Sequence, residues 1–179
     1  SEVEDELRKS RKEIEDLARE AERELEEIKR HIERSERKAK EDIDRIEREI
    51  EELDKLRKEN SSSEKTLDDD LERLKRKIEK IKREMEKSLR ELEKRIREIV
   101  EKMRRTLDRH REKLEDLRRR GIDEKALRKS HKELEDLVRE VEKKLRELLE
   151  RYRKRIEEVA KKLDDLLDKL REVVDRAKK

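Results

Sequence analysis

The chain offers few side chains that could act as nucleophile, imidazole base or metal ligand beyond its many carboxylates, and two of them adjoin in "ALRKSHKELEDL", residues 126–137. There Ser130 and His131 occupy a turn between Leu127 and Leu134 that a buried helix face would normally fill with apolar side chains. Thr106 lies one turn before His110 in the same way. A hydroxyl beside an imidazole suggests a nucleophile and its base, neutral imidazole is a zinc or copper ligand, and a buried imidazole senses protons.

Each chemistry makes further demands. Acyl transfer needs an oriented base, an oxyanion hole and a substrate cleft, and a chain with one glycine and no glycine-built loop supplies no such constellation. A metal site at His110 and His131 needs a third or fourth inward ligand. The nearby acids, such as Asp108 and Glu133, fall outside the core phase. Cysteine is absent, which removes thiolate sites and disulfides together. No enzyme activity, cofactor or metal is therefore expected.

The elements that must position these residues are helices. Of 179 residues 63% are charged and 28% hydrophobic, with no proline, phenylalanine or tryptophan and a single tyrosine. Such a composition fits long helices or disorder, and the two are separated by periodicity. Leu and Ile recur at helical intervals from end to end, which a disordered polyampholyte has no reason to do. The 58 basic and 55 acidic residues are finely interspersed, leaving a net charge of +3. A nucleic-acid surface would segregate its cations; no basic run here exceeds three residues, and the all-arginine one, Arg118 to Arg120, sits where a helix C-terminus favours positive charge. No apolar run reaches membrane-spanning length and no signal peptide is read, so a soluble protein is expected, with no nucleic acid or membrane as partner and its compartment open.

Only "KENSSSEKT" and "RRRGIDEKA" break the pattern. The first offers Asn60 to close a helix and Ser61 or Ser63 to open the next, with Ser61 to Glu64 matching a capping box. In the second, Gly121 suits a left-handed helix terminus, Asp123 the next N-cap, and Ile122 a staple onto Leu127. The reading is a single unit over residues 1–179, with helices at about 2–59, 64–120 and 124–178 and loops at about 60–63 and 121–123. Short loops make consecutive helices antiparallel neighbours, hence an all-α, up-down-up three-helix bundle. Each helix would run roughly 80 Å at 1.5 Å per residue.

The core positions repeat every 18 residues: Leu71, Leu89 and Leu107; Ile78, Ile96 and Leu114; Ile14, Ile32 and Ile50; Leu127, Leu145 and Leu163. Eighteen residues are five turns at 3.6 residues each, so this repeat, unlike a heptad, implies straight helices. That regularity over the whole chain resembles computationally designed, parametric three-helix bundles with buried hydrogen-bond networks. The resemblance implies a structural scaffold rather than a natural biochemical activity.

Folding the chain at its two turns sets position i of the first helix opposite about 120 minus i on the second, and pairs second and third helix positions summing to about 241. Ser10, Thr106, His110, Ser130 and His131 then share one level, and His31, Ser35, Ser88 and Tyr152 another. Ser10, Ser35, His110, Ser130 and Tyr152 lie in core phase, and the others border it. A lone buried hydroxyl or imidazole costs about 1 to 3 kcal/mol unpaired, so residues grouped by level read as networks that satisfy one another and penalise a slipped helix or the wrong hand. Two alternatives share these residues: a bundle that responds to pH through buried histidine, and a helical interaction module. The third helix has the wider apolar stripe, with Leu148 and Leu149, Leu166 and Leu167, and Val173 and Val174, through which copies could associate. The first helix has almost no second stripe, and a monomer is expected.

Overall fold

The computed structural model describes residues 1–60 and 64–178, with Glu64 described by its helical backbone alone. It contains three helices, α1 (Glu2–Lys58), α2 (Glu64–Arg119) and α3 (Glu124–Ala177), each in contact with the other two. The chain is an all-α three-helix bundle. Ion pairs give the directions. Glu6 meets Lys113 and Glu13 meets Arg109, so α2 runs against α1; Glu36 meets Arg155 and Glu47 meets Lys169, so α3 runs with α1.

The contacts within the chain group into two units. One comprises Ser1–Ile28 and Glu91–Arg151, the other Lys29–Arg90 and Tyr152–Lys179, and each holds a segment of all three helices.

Burial follows the 18-residue repeat. Val3, Ala21 and Ala39 are buried at one phase of α1 and Ile14, Ile32 and Ile50 at another; Leu67, Met85 and Met103 do the same in α2, and Leu127, Leu145 and Leu163 in α3. With no Phe or Trp to fill space, the core is a stack of thin aliphatic layers, and burial of each Leu or Ile contributes about 1.5 to 3 kcal/mol. Polar substitutions within this stack are therefore conspicuous.

Local chemistry sets the ends. Ser1 caps α1, its Oγ accepting a hydrogen bond from the Glu4 amide at 3.3 Å. Acidic residues crowd the first turn of α1 and basic residues its last, matching the helix dipole. Asn60 takes a left-handed φ of 53° beyond α1, and its amide donates to Arg57 O at 3.2 Å. The rest of that loop, with the Ser61 or Ser63 cap and the Ser61 to Glu64 capping box, lies outside the described residues. After α2, Gly121 adopts φ 84°. Its amide donates to Arg118 O at 3.0 Å while Ile122 N donates to Leu117 O at 3.2 Å, the paired bonds of a Schellman terminus. Ile122 then packs on Val3, Leu114, Leu117 and Leu127, and Asp123 Oδ1 accepts from the Lys125 amide at 3.2 Å to open α3.

Candidate functional site

His110 stands at the α2 phase held by Leu74 and Leu92 in the two preceding repeats, and all three side chains are fully shielded from solvent. Its ring reaches both other helices. Nδ1 lies 3.1 Å from Ser10 Oγ on α1, and Nε2 lies 3.2 Å from Ser130 Oγ on α3. The serines interrupt apolar phases too, Ser10 that of Ile28 and Ile46, Ser130 that of Leu148 and Leu166. Both are buried. A neutral imidazole has one N–H and one bare nitrogen, so one serine accepts from the ring and the other donates to it. Either tautomer closes the chain of bonds and leaves neither ring nitrogen stranded.

The remaining residues of this level divide. Thr106 is buried but satisfies itself on α2, its hydroxyl donating to Lys102 O at 3.2 Å and accepting from Arg109 Nη2 at 3.2 Å. His131 stacks on His110, with centroids 6.5 Å apart and planes inclined by 10°. Its Nε2 is 2.8 Å from Glu135 Oε1, one turn along α3, while its Nδ1 is buried without a hydrogen-bond partner among the described residues.

Protonating His110 would place a cation among groups that mostly oppose it. Burial is the main force holding its pKa below the ordinary histidine value, and the charges of His131 on α3 and Lys113 on α2 push the same way. Glu6 on α1, 3.3 Å from Lys113, pulls in the other direction.

The second level is built differently from the mutual hydroxyl layer its spacing predicts. His31 is exposed and Ser35 half-buried. Ser88 is buried, yet its hydroxyl turns back to Glu84 O at 3.1 Å. Among the described residues no hydrogen bond joins these three. The physical reason is reach: a serine can satisfy itself on the carbonyl one turn back, whereas spanning the space between helices takes longer side chains. Tyr152 does span it, its hydroxyl donating to Glu33 Oε1 at 2.8 Å. Beside it Arg155 holds Glu36 through two hydrogen bonds of 2.9 and 3.3 Å, with its guanidinium 5.1 Å from the Tyr152 ring centre. Burial alone would raise the pKa of Glu36, but the hydrogen bonds and charges of Arg155 and Lys40 outweigh it and hold the carboxyl below its usual range.

Glu33, Glu36 and Arg155 carry this level and are not singled out by residue type. A signal for two of them was nevertheless present. Glu36 shares its phase with Ala18 and Asp54, and Arg155 with Leu137 and Val173, so both charges sit where the repeat elsewhere admits an apolar group.

No protein-family model matches the chain, and no curated protein matches it. The chain is similar to a solved structure described as a computationally designed three helix bundle, at 21% identity over 99% of this chain and 87% of that one, with a TM-score of 0.36. Among the described residues no helix is long and apolar enough to cross a membrane.

Proposed function

We propose that this chain is a computationally designed, monomeric scaffold whose buried polar groups specify how its helices meet, and that it has no catalytic role. One observation carries the reading. A fully buried imidazole occupies a leucine phase, and both its nitrogens meet hydroxyls placed in apolar phases of the other two helices. Three such exceptions at one level are a poor way to gain stability, because a net hydrogen bond contributes only about 1 kcal/mol. They are an effective way to penalise slipped packings, which would set each polar group against Leu or Ile. The same bonds argue against hydrolysis, since the ring nitrogens are already engaged and no solvent-exposed face is left for a substrate.

The test replaces the level by what the repeat dictates: Ser10→Ile, His110→Leu and Ser130→Leu together. The expected product is at least as resistant to denaturant as the parent but less singly packed, with doubled or broadened methyl resonances. A variant with one sharp set of resonances would reject specificity as the role of this level.

A second reading, a bundle that responds to pH, draws support from the His110 and His131 stack. Stability followed from pH 7 to 4 in the parent and in His110→Leu separates it from the first: equal responses would remove His110 as the sensor. Monomeric mass across working concentrations is expected, and a concentration-dependent mass would favour association through α3 instead.

A further inference from the structure

The unit formed by Lys29–Arg90 and Tyr152–Lys179 holds ion pairs at all three helix interfaces, and their signs are not arranged alike. Toward α3, α1 presents Glu36, Glu47 and Asp54, which meet Arg155, Lys169 and Arg176. Toward α2 it presents Glu49, which meets Arg73. Lys82 of α2 meets Asp164 of α3. In these pairs α1 is acidic at both edges and α2 basic at both. Only α3 differs between its edges, basic toward α1 and, at Asp164, acidic toward α2.

A bundle of the opposite hand has the same helices, the same directions and nearly the same core, but each helix turns its other edge to each neighbour. The α1 and α2 edges would still pair acid with base. At α3 every contact would be wrong: Arg155, Lys169 and Arg176 would face the Arg73 edge of α2, and Asp164 would face the Glu49 edge of α1. We infer that the two oppositely charged edges of α3 select the hand of the bundle. This goes beyond the role proposed for the His110 level, which concerns the other unit, and the test below leaves that level untouched.

Geometry supports a real bias. The Glu36 and Asp54 side chains are only 9% and 17% exposed, so their contacts are less screened than surface pairs. Arg171, a cation near the Asp164 edge, is drawn toward Asp168 on its own helix.

The chain has no cysteine, so thiol pairs introduced into the full-length protein can report the hand through a short thiol cross-linker. Glu47→Cys with Lys169→Cys marks the hand seen here. Glu49→Cys with Arg171→Cys marks the other, because Arg171 lies two turns after Asp164 and so near its edge. In the parent only the first pair should cross-link. Neutralising the code with Glu36→Gln, Arg155→Gln, Asp164→Asn and Arg176→Gln is expected to raise the second product by roughly tenfold, the combined effect of several contacts each worth a few-fold in population. Exchanging this pair, Glu36→Arg with Arg155→Glu, restores the ion pair between α1 and α3 at that position, at the cost of like charges beside Glu33 and Lys40, and should leave the first product dominant. If the fourfold variant loses helicity, Asp164→Asn with Arg176→Gln, at half-exposed positions, reads the same bias at several-fold. Retention of the first product alone in the neutralised variants would overturn the inference, as would equal appearance of the second product in the exchange variant.

Discussion

At the scale of the residue, Ser10, His110 and Ser130 form one buried chain of hydrogen bonds across the three helices. Ser130→Ala leaves a ring nitrogen without its hydroxyl in a site closed to water, and a loss of about 1 to 2 kcal/mol is expected in a urea titration. Tyr152→Phe should do less, under about 1 kcal/mol, because its acceptor Glu33 is 42% exposed and water can take the place of the phenol. The pH response has a definite sign. The folded state disfavours the charged form of His110, so the unfolded chain binds the proton first. Stability from the neutral ring is complete above the unfolded value of about 6.5, fades as pH falls through the window below it, and is gone beneath the folded value. The parent's denaturation midpoint should therefore fall between pH 7 and 5 more steeply than that of His110→Leu. These three residues were legible because each breaks an apolar phase with a side chain of another class. Glu36 and Arg155 break phases as well, but in a chain that is 63% charged their type attracts no notice.

At the scale of the element, helix ends and turns were legible wherever one residue type satisfies a backbone need. Gly121 is the clearest case. A methyl group there would meet nothing within 4 Å, so replacement is opposed by backbone conformation alone. Gly121→Ala should lower stability by about 1 kcal/mol, and Gly121→Asn by less, since asparagine tolerates the left-handed region. Asp123→Ala removes the cap of α3 and is expected to cost about 1 kcal/mol; an unchanged urea midpoint would show that water serves the Lys125 amide equally well. What the periodicity could not supply is which edge of a helix meets which neighbour. Apolar phases name the buried face, but both hands of a three-helix bundle bury that same face. The edges were legible only after pairs such as Glu47 with Lys169 and Lys82 with Asp164 were seen.

At the scale of the whole molecule, 58 cations and 55 anions make the charge balance itself a function of pH. Near pH 7 the two populations nearly cancel and the cross-helix pairs attract, mostly at half-exposed positions. Added salt screens over about 8 to 10 Å at 0.1 to 0.15 M and should weaken them slightly. At acid pH carboxylates protonate. Glu36 and Asp54 keep their charge to lower pH than a free carboxylate would: burial would raise both, but Arg155 and Lys40 beside Glu36, and Arg57, Lys58 and Arg176 beside Asp54, hold them below the usual carboxylate range. Their contribution is complete above the unfolded values of about 4.3 and 3.9 and is lost as pH falls through the folded ones. The 58 cations are left without counter-charges, and self-repulsion then favours expansion. Salt should therefore change sign in its effect, lowering the denaturation midpoint a little at pH 7 and restoring helicity at pH 2 to 3. Circular dichroism against pH at two salt concentrations measures both. If salt left the acid transition where it was, charge repulsion would not be its cause, and protonation of His110, Glu36 and Asp54 would have to account for it.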